Sequence, residues 1–237
     1  TMRERFVAEG KMATEEEFLE AYHIVREKLS SLPPELVQVS YHPSFFEFLF
    51  FMAMLFFEKK NVEYVVLETG LGGRLDATNA VQHKELCVIT SIGYDHMEYL
   101  GDTLSSIAYE KAGIMRAGVP VVYQDRCSEV TEQIEACAVE VGAKTFPLQK
   151  RAIKEIKIRN KTIDFSLHIN YYDYIGFTAV TPAVYQTENA ALAVKAALLL
   201  EDERITLPVM QAGVRQMVWE GRMEEVLPLV YVDGAHN

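Results

Sequence analysis

The sequence predicts an α/β fold, a mostly parallel sheet flanked by helices, with a small antiparallel β section. Three observations predict it. Short apolar runs alternate with helix-length segments at βα spacing, the pattern of parallel strands joined by crossovers. Helix starts and stops are marked by local chemistry at Thr14, Ser44, Thr103 and Gly113. Between residues 152 and 177 the hydrophobic period shifts to two, which signals antiparallel pairing.

Taken in order, Thr14-Glu15-Glu16-Glu17 is a capping box that opens a helix to about Leu29, and Pro33-Pro34 ends it. Ser44-Phe45-Phe46-Glu47 is a second capping box, starting a Phe-rich helix to Glu58. Glu47 therefore reads as a capping carboxylate rather than a catalyst. Residues 62–68 and 86–91 read as strands, and Asp102-Thr103 starts a helix that Gly113 stops. A strand over 119–123, a helix over 129–141 and a strand over 144–148 follow. Ile153, Ile156, Ile158, Ile163, Phe165 and Leu167 then alternate around Asn160-Lys161, which predicts a hairpin or meander. Thr187 is expected to cap an alanine-rich helix to about Leu200, with a shorter helix over 209–217 and a last strand over 229–232. No internal repeat or low-complexity linker interrupts this order.

Composition limits the function classes. The 237 residues suit one large α/β domain, or one with a small appendage. A net charge of −11 argues against a nucleic-acid partner, although a locally basic site for anionic small molecules remains open. The three cysteines, Cys87, Cys127 and Cys137, form no CxxC pair, the usage of a reducing cytoplasm rather than of a disulfide or zinc framework. The apolar run 45–57 is too short to cross a bilayer and contains Glu47, so no membrane partner is expected.

Parallel α/β sheets bind ligands beyond the carboxyl ends of their strands. Glu68 ends the first predicted strand, residues 91–96 follow the second, and 233–237 follow the last. The stretch VVLETGLGGRLDATNAV fails the dinucleotide fingerprint, because Leu75 stands at its last glycine, and no GxxxxGK[ST] loop occurs in the chain. A tight turn accounts for the glycines but not for Arg74, Asp76 and Asn79. Asp95-His96 pairs an imidazole able to bind a divalent cation with a carboxylate able to orient it, although a lone His is more often structural. Lys111, near a helix end, is by itself explained by interaction with the terminal carbonyls.

The blocks together are more specific than any one of them. Glu68 with GLGGRLDATN, Thr90-Ser91-Ile92-Gly93 with Asp95-His96, Leu100-Gly101-Asp102-Thr103 and Glu110-Lys111-Ala112-Gly113-Ile114 resemble the folylpolyglutamate synthase/dihydrofolate synthase family of the Mur ligase superfamily. Gln186-Thr187-Glu188-Asn189-Ala190-Ala191, Gly221-Arg222, Asp233-Gly234-Ala235-His236-Asn237 and the early Arg3-Glu4-Arg5-Phe6 with Gly10 extend the resemblance over nearly the whole chain.

The resemblance implies an ATP-dependent ligase that adds L-glutamate to folate or dihydropteroate through an acyl phosphate. It implies two Mg2+ ions in the full-length enzyme, with Glu68, His96 and Lys111 as the metal-side residues and Lys111 as a lysine that can be carbamylated. Lys111, His96 and Arg222 take the catalytic roles. Asn189, Arg222, Asp233 and His236 meet the nucleotide, and Arg74, Asp76 and Asn79 handle the pterin substrate and support their loop. The family's GTNGKGS-like phosphate loop and its C-terminal domain have no counterpart here. The chain is therefore expected to be a truncated central ATP-binding domain over 1–237, with an antiparallel subregion at 152–177 and a hinge at 233–237, inactive alone, with an apolar edge and face laid open. The parent is expected to be cytoplasmic and monomeric. The alternatives are a Mur-type amino-acid ligase of another substrate and a non-catalytic nucleotide-binding module of a split protein. A dinucleotide-dependent oxidoreductase is disfavoured by the failed fingerprint.

Overall fold

The computed structural model describes residues 2–33, 42–169 and 174–234. They form two compact units, residues 1–80 and 81–237.

The first unit opens with a 3₁₀ turn, Met2–Arg5, and a two-stranded antiparallel hairpin, β1 (Val7–Ala8) and β2 (Lys11–Met12). Two helices follow, α1 (Glu15–Ser30) and α2 (Phe45–Lys60). Both predicted capping boxes are present. Thr14 Oγ1 accepts from the Glu17 amide at 3.2 Å while Glu17 accepts from the Thr14 amide at 3.0 Å, and Ser44 and Glu47 repeat the exchange at 3.3 and 2.7 Å. Phe6, Val25, Leu49, Met52 and Phe56 lie in a shared core. The Phe-rich segment is thus a core helix, as its length required. Pro34 lies outside the described residues.

Residues 62–68 depart from expectation. They are not in strand conformation, and Val66 is 95% exposed. Apolar β-formers establish a preference for extended backbone, but a strand needs a hydrogen-bonded neighbour.

The second unit holds the predicted parallel sheet. β3 (Cys87–Ile89) pairs with β4 (Pro120–Asp125), and β4 with β5 (Lys144–Gln149), all parallel. Helices α3 (Met97–Leu100), α4 (Leu104–Ala112) and α5 (Ser128–Val141) lie between these strands in sequence. Alternate residues of β4 face opposite ways. Val121 and Tyr123 join a core with Ala108, Ala112, Val130 and Ile134, whereas Val122 joins a second core with the rest of the unit. The central strand β4 is therefore buried on both faces, as in parallel sheets generally, whereas Val88 on β3 stays 38% exposed.

The second core includes the antiparallel meander β6 (Ile153–Arg159), β7 (Thr162–His168) and β8 (Tyr174–Ala179), together with α6 (Gln186–Leu199) and α7 (Leu207–Gln216). A register shift between Lys154 and Lys157 interrupts β6, where Glu155 takes φ 53°. Asn160 turns the first hairpin at φ 52°.

Two details of the last segment correct the sequence reading. Thr187 does not cap α6. The cap is Tyr185, and the Thr187 hydroxyl donates back to the Val184 carbonyl at 2.8 Å. The last strand, β10 (Val230–Val232), does not join the parallel sheet but pairs antiparallel with β9 (Glu224–Leu227). No helix among the described residues is long and apolar enough to cross a membrane.

Candidate functional site

In the first unit, the glycine-rich stretch is a loop built around Asp76. One carboxylate oxygen accepts from the amides of Gly70 at 2.8 Å and Leu71 at 3.0 Å. The other accepts from the Thr78 amide at 2.9 Å and the Thr78 hydroxyl at 2.6 Å. Asn79 closes the far side by donating to the Arg74 carbonyl at 2.9 Å, on the 3₁₀ turn Ala77–Ala80. A Cβ at Gly70 would sit 3.0 Å from the Phe46 ring and 3.3 Å from Asp76 Oδ2, so the backbone passes where a side chain would crowd it. Glu68 leads into this loop with its side chain exposed, and among the described residues its carboxylate has no ion pair or hydrogen bond. Arg74 is exposed, and Asp76 and Asn79 are half-buried.

In the second unit, His96 follows β3 on a left-handed turn, φ 49° and ψ 37°. A non-glycine residue in that region is strained, and such positions concentrate at functional sites. Asp95 Oδ1 accepts from the His96 amide at 2.8 Å, and Asp95 Oδ2 lies 3.7 Å from His96 Nε2. The sheet thus delivers an exposed imidazole with a carboxylate beside it. The His96 carbonyl starts α3, accepting from the Tyr99 and Leu100 amides at 2.9 and 3.0 Å.

Lys111 occupies the last turn of α4, whose start is fixed by a reciprocal Thr103–Ser106 capping box. The turn after it is pinned from three sides. Lys84 Nζ donates to the Ile114 carbonyl at 2.8 Å, Cys87 Sγ to the same oxygen at 3.3 Å, and Arg116 to the carbonyls of Gly113 and Met115 at 3.2 and 2.8 Å. Burial pushes the Lys84 ammonium down and the Cys87 thiol up from their ordinary ranges. Lys111 itself is half-buried, and its ammonium makes no hydrogen bond or ion pair among the described residues. An anchored backbone therefore carries an uncommitted amine.

The third group of predicted residues gathers at the start of α6. Asn189 Nδ2 donates to Gln186 Oε1 at 3.0 Å, and Gln186 is buried. Arg126, just past β4, donates from Nε to Glu188 at 2.8 Å and ties the sheet to the first turn of the helix. Tyr185 donates its hydroxyl to Asp233 Oδ2 at 2.8 Å, and the Met223 amide reaches the same oxygen at 3.0 Å. Burial, then the hydrogen bond and charge of Asp233, push the Tyr185 hydroxyl up, and nearby Arg222 opposes the shift. The Gly234 amide donates to the Gly221 carbonyl at 2.7 Å. The exposed Arg222 guanidinium has no hydrogen bond or ion pair among the described residues. His236 lies outside the described residues.

Asn189, Arg222 and Asp233 thus share one corner of the second unit, next to a tyrosine and an arginine–glutamate pair that the sequence reading passed over. Tyr185 abuts the Gln186–Asn189 block, but its partner lies 48 positions away, so only folding reveals it.

Among the described residues, no three His, Cys, Asp or Glu side chains cluster into a metal cage. Within each unit taken alone, Glu68 offers an exposed carboxylate, and His96 an exposed imidazole with the Asp95 carboxylate alongside.

A parallel sheet with charged residues gathered beyond its strands is the arrangement in which α/β domains bind ligands. The model of the Mur ligase middle domain matches residues 44–197, and the chain belongs to that family. Its curated relatives include the dihydrofolate synthase/folylpolyglutamate synthase of Bacillus subtilis, 34% identical over all of this chain and 56% of that protein. A solved folylpolyglutamate synthase from Thermotoga maritima superposes with TM-score 0.83 at 28% identity, covering 100% of this chain and 54% of the other. Escherichia coli FolC, solved with DHPP and ADP, superposes with TM-score 0.80 at 28% identity, covering 99% of this chain and 52% of the other. The chain spans about half the length of these relatives.

Proposed function

We propose that this chain is part of an ATP-dependent ligase that joins L-glutamate to folate or dihydropteroate. The observation that carries the reading is the likeness over the whole chain to folylpolyglutamate and dihydrofolate synthases, one of them solved with ADP. In the proposed reaction the γ-phosphoryl group of ATP passes to the substrate carboxylate, giving an acyl phosphate and ADP. The glutamate amine attacks the acyl carbon, the tetrahedral adduct expels phosphate, and the amine proton leaves as the amide forms.

Each group has a part suited to its chemistry. The Asn189 carboxamide offers both a donor and an acceptor to the adenine, and the Arg222 guanidinium balances phosphate charge with fixed donors. Asp233, with His236, meets the nucleotide from the hinge. Asp76 and Asn79 hold the loop that carries Arg74 toward the pterin. Glu68 would hold one Mg2+ and His96 a second, with Lys111 helping to place metal as its carbamate, an oxygen anion made from an amine and carbon dioxide. When bound, Mg2+ would neutralise the charge that builds up between the two reacting anions. Asp95 fixes the orientation of the His96 ring. We propose a cytoplasmic enzyme, which the three cysteines without a CxxC pair support, acting as a monomer.

The test is an assay of the product of the whole reading frame that contains these 237 residues. ADP release that depends on glutamate and on dihydropteroate or tetrahydrofolate is expected, and comparing the two acceptors assigns the substrate. Release that ignores both acceptors would reject the reading. The 237-residue polypeptide, lacking a GxxxxGK[ST] loop, is expected to release no ADP in response to glutamate.

A further inference from the structure

We infer that Tyr185 is a nucleotide-positioning residue, which acts through Asp233 to hold Arg222 and Asn189 against one ligand. The inference rests on the proposed nucleotide role of this corner. Its physical basis is a short chain of contacts. Tyr185 is the cap residue of α6, and the Asn189 amide donates to its carbonyl at 3.4 Å, so Asn189 stands one turn further along the same helix. The Tyr185 hydroxyl donates to Asp233 Oδ2 at 2.8 Å, and the Met223 amide to the same atom at 3.0 Å. Asp233 follows β10, and Met223 precedes β9. One carboxylate oxygen therefore gathers both ends of the terminal hairpin and fastens them to the start of the helix.

Arg222 sits inside this clasp. It precedes Met223, and a Cβ at Gly234 would lie 3.6 Å from its Nη1. The Gly234 amide closes the clasp on the Gly221 carbonyl at 2.7 Å. Without the phenolic hydroxyl, Asp233 still accepts from the Met223 amide but loses the hydrogen bond that reaches Tyr185 at the start of α6. A ligand bridging Asn189 and Arg222 would then have to order two separate pieces, which lowers affinity.

The experiment titrates ADP by calorimetry into the product of the whole reading frame that contains these residues, for the parent, Tyr185→Phe, Asp233→Asn and the double variant. Tyr185→Phe is expected to weaken ADP binding roughly tenfold, the usual weight of a hydrogen bond to a charged acceptor. Because Tyr185 acts through Asp233, the double variant should bind no more weakly than the worse single variant. Amide hydrogen exchange at Met223 and Gly234 should accelerate in Tyr185→Phe without ligand. Equal ADP affinity in parent and Tyr185→Phe, or strictly additive losses in the double variant, would overturn the inference and leave the proposed reaction standing. A parent chain that binds no ADP would overturn the nucleotide role of the corner and this inference with it. If Tyr185→Phe does not fold, Asp233→Asn carries the test, and an unchanged ADP affinity there overturns the inference.

Discussion

At the scale of single residues, Asp76 shows how a site motif and a structural motif coincide. Its two oxygens accept four hydrogen bonds within the loop. Asp76→Ala leaves three amides without that partner and should lower stability by about 3 kcal/mol in chemical denaturation. Asp76→Asn can satisfy only one side, since its NH₂ group would face donors, and should lose about half as much. The sequence signalled that Asp76 mattered beyond a turn, because glycine alone explains tight backbone but not a carboxylate. It could not separate a role in binding substrate from one in holding the loop. The hydrogen bonds establish the second role, and the first is left to the ligase assay.

At the scale of elements, what was legible followed from contact range. The two capping boxes depend on residues three apart, and both were readable. The parallel strands were readable as apolar runs, because a sheet buried on both faces leaves no alternation. Pairing was not readable, so β10 was not assigned to β9 and residues 62–68 were assigned to a sheet they do not join. The cap of α6 was misplaced because Thr187 has the right side chain but sits buried inside the first turn. Within the parallel sheet, Glu135 of α5 accepts from Tyr123 on β4 at 2.6 Å and from Thr145 on β5 at 2.9 Å. Burial first, then this hydrogen bond and the neighbouring carboxylate charges, push the Tyr123 hydroxyl well above its ordinary range. The folded state therefore holds a proton that the unfolded chain releases above about pH 10. Stability supplied by this link is fully present below that pH and falls as pH rises beyond it. Buried Cys87, also pushed up, should start the decline near about pH 9, where a free thiol titrates. Thermal melts between about pH 8 and 11 should show the fall, with a shallower slope in Tyr123→Phe above about pH 10.

At the scale of the whole molecule, the family and the layered sheet were legible, whereas the division into two units was not. Nothing in the composition marks a boundary near residue 80, because both units use the same mix of apolar and charged residues. The sequence also led us to expect exposed apolar surface, and Tyr64, Val65, Val66 and Leu75 supply it within the first unit. Apolar surface of this kind invites association with another chain. Light scattering should therefore find concentration-dependent association, which Val66→Lys reduces without lowering the melting temperature, since a side chain 95% exposed contributes little to the core.

The left-handed turn at His96 bears on how any substitution there is scored. Alanine at φ 49° removes the imidazole and also carries a backbone penalty of about 1 kcal/mol, whereas glycine removes the ring and relaxes the backbone. His96→Ala and His96→Gly should lose the same chemistry yet differ in melting temperature, with glycine the more stable. Alanine scanning would thus overstate the contribution of the ring, and the glycine variant is the fair baseline for its chemistry.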